Sequence, residues 1–370
     1  MPNRDLSNTR VADSSISSDN VSELGVAWTM PLTASATFGA FASNPVIAAG
    51  TVYLQDLESN VFGVDFESGE VLWTRRYDMK DVGPNGVTLA EGKLFGATPK
   101  FAFALDPETG EELWRADGLV GKGGPGFDIQ PQVTDGKVYL STPTQIGGGV
   151  AYALDAETGE KIWSFDTIID PIAKKVPAPG AGGAWYPPAV GPDGTVYLGV
   201  GNVYQGPGLG MSRPSRRLYS DSIVALDPDT GELKWHYQAL PNDFYDWDMH
   251  LSPIYVAEDG EETIVGGGKM GYVYAIDAGS GELRWKTPVG EHNGHDNDST
   301  RSLEQELKLT YPVTILPGSY GGVETNMALA DGTIYAAVVN MPGVIKSPKV
   351  TDRGCEVQRR QGRSRRPRPL

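Results

Sequence analysis

Three carboxylates fall within six residues in the segment NDFYDWDMH (242–250): Asp243, Asp246 and Asp248. Carboxylates at that density can exchange protons with a substrate or offer oxygen donors to a hard cation. They could equally be a solvated loop, but Tyr245 and Trp247 stand among them, and interleaved aromatics favour a packed site. Further on, GGGKMG (266–271) presents Lys269 after a glycine run. It fails as a phosphate loop, because no Gly stands five before Gly268 and Met270 occupies the Ser/Thr position. Upstream, GGAWYPPAVGPDGTVYLGVGN (182–202) contains Trp185 and ends in Asn202. The cluster GEHNGHDND (290–298) holds His292, His295, Asp296 and Asp298, which could bind a metal but read better as an exposed connection. Cys355 is the one cysteine, so disulfides, thiolate metal sites and covalent haem attachment through Cys-x-x-Cys-His are ruled out within this sequence. No Gly-x-Ser-x-Gly supports a hydrolase.

The scaffold that must position these groups is written as a repeat. A small residue, Asp two later, Gly four after that and Trp four beyond the Gly recur in GVDFESGEVLW (63–73), ALDPETGEELW (104–114), ALDAETGEKIW (153–163), ALDPDTGELKW (225–235) and AIDAGSGELRW (275–285). Spacing inside the frame is invariant, while the distance between copies runs from 41 to 72 residues. Rigid inside and elastic outside is the signature of a repeated packing unit. The residues before each Asp alternate as a strand does, Asp-x-x-Thr/Ser-Gly is a turn with Gly at positive φ, and Trp falls on the returning strand. A second hairpin with a Gly turn precedes most frames: VIAAGTVYL (46–54), VTLAEGKLF (87–95), VTDGKVYL (133–140), VGPDGTVYL (190–198), and again ALADGTIYA (328–336). Two hairpins per unit make a four-stranded antiparallel propeller blade. The predicted fold is all-β, a β-propeller, with helical periodicity hinted at only in 302–309.

The Ala-x-Asp-x-x-Thr-Gly-x-x-x-Trp frame resembles the tryptophan-docking motif of the pyrroloquinoline quinone (PQQ)-dependent alcohol dehydrogenases and their relatives, over roughly residues 5–345. That resemblance implies an eight-bladed ring in a complete member, with about six blades here, each Trp wedging against the next blade, and a cofactor near the central axis. It implies that Trp185 forms the floor under PQQ, that Asn202 in Gly-x-Gly-Asn is a Ca²⁺ ligand, and that Asp246, counted from Pro241, is the general base and touches the calcium. Asp248 is the alternative under a shift of two. Lys269 would donate to the quinone oxygens. The function so implied is a PQQ- and calcium-dependent oxidoreductase that moves hydride from an alcohol or sugar to the quinone, with an external electron acceptor, working in the periplasm or outside the cell. The alternative is a non-catalytic propeller that binds protein partners.

The sequence also departs from that pattern. The vicinal Cys-Cys beside PQQ is missing; the cofactor-contacting Arg falls at Asn85; the calcium-ligating Glu falls at Thr144 or Gln145. GGVETNMA (321–328) offers Glu324 and Asn326 where an Asn-Trp pair is expected. Trp28 in VSELGVAWTMP (21–31) sits in docking position with no strands before it, so it should close a last blade. The expected organisation is an incomplete propeller over 1–349 and a basic tail over 350–370. Seven Arg against two acids give the last twenty residues +5, in a chain of net charge −16. That end reads as disordered or out-of-frame. The acidic remainder argues against a nucleic-acid surface. No apolar run is long enough to span a membrane, and no signal peptide follows Met1. The 47 Gly and 27 Pro suit a fold that turns often.

Overall fold

A computed structural model describes residues 15–121, 126–143, 149–169, 182–202, 218–241, 243, 245–298 and 310–345. Thr144, Gln145, the 302–309 segment, Cys355 and the basic tail lie outside the described residues.

The first blade shows the plan. Val46–Ala48, Thr51–Gln55, Val61–Asp65 and Val71–Arg75 pair in sequence order, each antiparallel to the last. Four more four-stranded sheets repeat that meander over 88–116, 132–166, 189–238 and 254–288. A sixth unit is in pieces: Val313–Ile315 pairs Gly343–Ile345, Gly322–Val323 pairs Val338–Val339, and Ala328–Ala330 forms the expected hairpin with Thr333–Tyr335. The 21–31 segment departs from expectation. It contains a 3₁₀ turn at Val21–Glu23 and no strand, because no described strand stands beside it to pair with. That turn is the sole helix among the described residues.

Each frame is a small machine for turning the chain. In the first, the Asp65 carboxylate accepts from Ser68 N and Ser68 Oγ, both at 2.7 Å, and Gly69 sits at φ 74°. The equivalent aspartates Asp106, Asp155, Asp227 and Asp277 accept the same bonds. Hydrogen bonding to the ionised form holds their carboxyls low, to about 2 at Asp277, where Arg284 adds its charge. A β-bulge follows the small residue in all five frames. At Gly63, paired with Trp73, an added Cβ would lie 2.5 Å from the indole, which is why the position before the bulge stays small.

The core lies between blades, as well as within them. Tyr139, Ala153 and Trp163 of the third blade share one buried cluster with Val190, Leu198 and Leu226 of the fourth. Another joins Tyr197, Ile223 and Trp235 to Ile264, Tyr274 and Ile276 of the fifth. The tryptophans make the joint specific. Trp28, Trp73, Trp114, Trp163 and Trp235 each donate Nε1–H to a backbone carbonyl in the following unit: Phe66, Pro107, Ala156, Pro228 and Ala278, at 2.8–3.1 Å. Each indole lies on the frame glycine of that unit, so Trp28 docks as expected although its own strand is missing.

Candidate active site

Connections from around the ring meet in one region. A cavity of about 30 Å³ is lined by Ala42, Asn44, Asn85, Gln130, Trp185 and Asn326 among others, drawn from five separate stretches of sequence. Of the four residues singled out in the sequence, Trp185 lines it, and Asn202, Asp246 and Lys269 form a bonded cluster that meets the Trp185 ring through Gly201.

Asn202 follows the Val196–Val200 strand and is 5% exposed. Its backbone N–H donates to Asp248 Oδ1 at 2.7 Å, and its Nδ2 donates to Asp243 Oδ2 and Asp246 Oδ1, both at 3.0 Å. Its Oδ1 has no partner and is buried. The acidic segment is therefore no solvated loop. Asp243 draws it into a turn by accepting from Tyr245 N and Trp247 N, which sets Asp246 at φ 63°, a left-handed conformation that Asp tolerates better than most residues. Trp247 anchors the turn, fully buried and bonded through Nε1 to Pro317 O.

Lys269 arrives from the Glu261–Gly267 strand. Its Nζ lies 2.5 Å from Asp248 Oδ2 and 3.4 Å from Asp246 Oδ2. Gly268 makes that approach possible, since any Cβ there would overlap the Asp248 carbonyl. Trp185 stacks on His250 with centroids 5.4 Å apart. Gly201 fills the gap between the Trp185 ring and the Asp248 carboxylate, and a Cβ there would strike both.

The protonation pattern follows from burial. Burial pushes the Asp248 carboxyl up, but the Lys269 cation wins and holds it below the usual range. Burial pushes His250 down to about 4, so its imidazole is neutral near pH 7. Asp243 is raised, by burial first and then by the charge of Asp248. Glu324 was expected only as a departure from pattern, yet it belongs to this cluster. Burial lifts it to about 7, against the pull of Lys269 and with Asp248 and Asp246 adding repulsion. Asn326, its neighbour in sequence, accepts Ser252 N–H at 3.0 Å and orders the end of the acidic loop.

Glu324 supplies a test. A carboxyl whose folded pKa exceeds its unfolded value binds more protons in the native state, so its contribution to stability falls as pH rises through that interval. In metal-free buffer Glu324→Gln should gain about 1–2 kcal/mol on the parent protein between pH 5 and pH 8, after allowing for the solvent that reaches the group. Urea denaturation at the two pH values reads this, and an unchanged difference would remove Glu324 from the buried cluster.

The 290–298 cluster is largely the exposed connection expected, with Asp298 buried at its end. His292 is bonded to Asp296, and His295 Nδ1 lies 2.8 Å from Asp298 Oδ2. Asp298 is buried and accepts from the Tyr245 hydroxyl, so this segment buttresses the acidic turn. No group of three or more His, Cys, Asp or Glu among the described residues could hold a metal ion.

Two acids contributed no motif and were invisible in the sequence: Asp81 and Asp128, both buried near Asn85. Asn85 itself is where the resemblance expects a cation.

The donor set fits a hard cation. An amide oxygen left unpartnered in a pocket of carboxylates is what Asn202 presents, and oxygen donors of this kind are what Ca²⁺ takes. Trp185 and Lys269 offer the groups a flat anionic quinone takes, an aromatic face and a cation.

A four-stranded-blade propeller with Trp185 in a cavity wall and a buried Asn202–Asp246–Asp248–Lys269 cluster packed behind it defines a class, and comparison with known proteins gives it a name. Residues 3–88 and 133–293 match the family described as PQQ, glucose/ethanol/alcohol dehydrogenase, beta-propeller domain, and the chain belongs to that family. It is 30% identical over 379 residues to a quinohemoprotein alcohol dehydrogenase of Comamonas testosteroni, covering 88% of this chain and 52% of that protein. It is 28% identical to a 1-butanol dehydrogenase (cytochrome c) of Thauera butanivorans, over 90% of this chain and 54% of that one. The crystal structure of the Comamonas enzyme superposes with a TM-score of 0.77 at 26% identity, over 92% of this chain and 57% of the other. The chain thus spans about half the length of the curated relatives it matches.

Proposed function

We propose that this chain forms the cofactor-binding propeller of a PQQ- and calcium-dependent dehydrogenase that oxidises alcohols, or sugars presenting an equivalent hydroxyl, and passes electrons to an external acceptor outside the cytoplasm. The observation that carries the reading is the joining of Asn202, Asp246 and Lys269 in one bonded cluster, with Trp185 of the cavity wall packed against the same group through Gly201. Asn202 Oδ1 and the Asp246 carboxylate would hold the cation, and Trp185 and Lys269 the quinone. When bound, the quinone supplies the hydride acceptor and the cation polarises it.

The chain's own residues divide the remaining work. Of the two candidate bases, Asp248 is fully buried and neutralised by Lys269, whereas the Asp246 side chain is 22% exposed and reachable. Asp246 is therefore the group that takes the hydroxyl proton of an alcohol. Its lysine contact, at 3.4 Å, sets a cation beside one carboxylate oxygen while the other stays on Asn202. Lys269 places positive charge where the reduced ring would accumulate negative charge. A ring kept only for protein binding has no use for a buried Asp–Lys–Asn cluster, which disfavours the scaffold alternative.

Titration with PQQ in the presence of Ca²⁺, followed by Trp fluorescence, tests the assignment. Saturable, Ca²⁺-dependent quenching is expected, weakened by Trp185→Ala. Asp246→Asn should lower Ca²⁺ affinity at least tenfold and turnover of a primary alcohol by about 10²–10⁴-fold. A folded protein that shows no Ca²⁺-dependent quenching sinks the proposal.

A further inference from the structure

Around Asn85 and Gln130 of the cavity wall lies a second buried polar group that the proposed chemistry does not use. Asp81 and Asn85 are each 2% exposed and Asp128 is 5% exposed. Their surroundings are nearly saturated. Asp81 Oδ1 accepts Gly83 N–H at 3.0 Å, and Asn85 Nδ2 donates to Asp56 O at 2.8 Å. Neighbouring Gln55 and Gln130 spend their amides on backbone partners, Gln130 Nε2 on Val87 O at 2.7 Å and Gln55 Oε1 on Gly86 N–H at 3.1 Å. Three atoms are left over, and all are oxygens: Asp81 Oδ2, Asn85 Oδ1 and Asp128 Oδ1. No Lys, Arg or His among the described residues forms an ion pair with either aspartate.

The two segments adjoin: Gln130, two residues from Asp128, donates to Val87 O, and Asn85 and Gln130 line the same cavity. Burial lifts the Asp81 carboxyl to about 6, and the charge of Asp81 adds to burial in driving Asp128 well above the usual range. Two carboxylates and an amide oxygen, dry and without counter-charge, carry a desolvation cost that folding alone does not recover. Natural interiors resolve such a deficit with a partner, and three unpaired oxygen donors specify a hard cation over a soft one.

We infer that Asp81, Asn85 and Asp128 form a second hard-cation site, of the calcium class, distinct from the one at Asn202 and Asp246. It stands on buried oxygens from two separate segments, 81–85 and 128, and is independent of the proposed catalytic reading.

Equilibrium dialysis against Ca²⁺ alone at pH 7.5, with metal-free protein, counts the sites. Two ions per chain are expected in the parent protein, one in Asp128→Asn, one in Asp81→Asn and one in Asp246→Asn. Asp128→Asn relieves like-charge repulsion, so without metal its melting temperature should equal or exceed that of the parent; its melting temperature should also rise less with Ca²⁺. One ion in the parent that is lost only in Asp246→Asn, or a count unchanged by both Asp81→Asn and Asp128→Asn, overturns the inference and leaves the pair as carboxyls neutralised by shared protons. A parent count of one that falls to zero in Asp128→Asn and persists in Asp246→Asn keeps this site and removes the other.

Discussion

Lys269→Met should destabilise the metal-free protein by about 3–5 kcal/mol at pH 7.5, because it strands the Asp248 carboxylate in a fully buried position. The volume of the side chain is nearly kept, so the loss is electrostatic in origin, with little cavity term. Two signatures separate it from general damage. In the parent protein Lys269 holds Asp248 below its usual range, and the stability that this pairing provides persists down to the acid end. Once the lysine is gone, burial, the largest influence on Asp248, outweighs the Asn202 N–H bond and raises the carboxyl, so the folded variant takes up a proton more readily than the unfolded chain. The variant's deficit should then shrink as pH falls from 7.5 towards 5. Secondly, adding Asp248→Asn to Lys269→Met should recover most of the loss, giving a strongly non-additive double-mutant cycle. The amide so introduced would retain an oxygen for the Asn202 N–H, which Asp248 now accepts at 2.7 Å. Urea denaturation at several pH values reads all of this. A cost below about 1 kcal/mol, or one that ignores pH, would mean that solvent reaches the pair and that the site is looser than its packing indicates.

The contrast between what was legible in the sequence and what was not follows from the range of the interactions involved. The docking frame was readable because its contacts are local: Asp65 to Ser68, Gly69 at positive φ, and the bulge that returns Trp73 across Gly63 are set within eleven residues. Strand count and hairpin positions followed from the same turn chemistry. The four candidate site residues were proposed through a resemblance that concentrates in the fourth and fifth blades, where Gly201, Gly268 and the acidic turn are close in sequence to the groups they position. Glu324 stood in view but lacked meaning, since only folding places it within the field of Asp246 and Lys269. Asp81 and Asp128 belong to no motif; their significance lies in burial and in unpaired oxygens, neither of which has a one-dimensional signature. The His292–Asp298 segment was legible as an exposed connection except at its buried end, Asp298, for a related reason. Gly and Asn give it the composition of a surface loop, while Tyr245, far away in sequence, provides the partner that buries Asp298.

Replacing Trp163 by Ala should cost about 3–5 kcal/mol, whereas the same change at Trp285 should cost less than about 1 kcal/mol. The two residues occupy the same place in identical frames, each paired across the sheet with an alanine, Ala153 and Ala275. Propensity, strand position and local sequence therefore predict equal effects. What differs is the next unit. Trp163 is 6% exposed, donates Nε1–H to Pro228 O at 2.9 Å, and lies on Gly231, where an added Cβ would come within 2.7 Å of the ring. Its removal leaves a cavity at the joint between the third and fourth blades and an unpaired carbonyl beside it. Trp285 is 46% exposed, and no described residue accepts its Nε1–H, because the sixth unit brings up hairpins without a docking frame among the described residues. Truncating it removes surface already facing solvent. Urea midpoints for the two variants, measured under one set of conditions with the slopes compared, decide the matter. Equal costs would show that the tryptophans act within their own blades and that the joint is held by the aliphatic clusters alone. A large difference assigns the cohesion of the ring to docking, and predicts that whatever covers Trp285 in a longer chain stabilises the fifth blade by a similar amount.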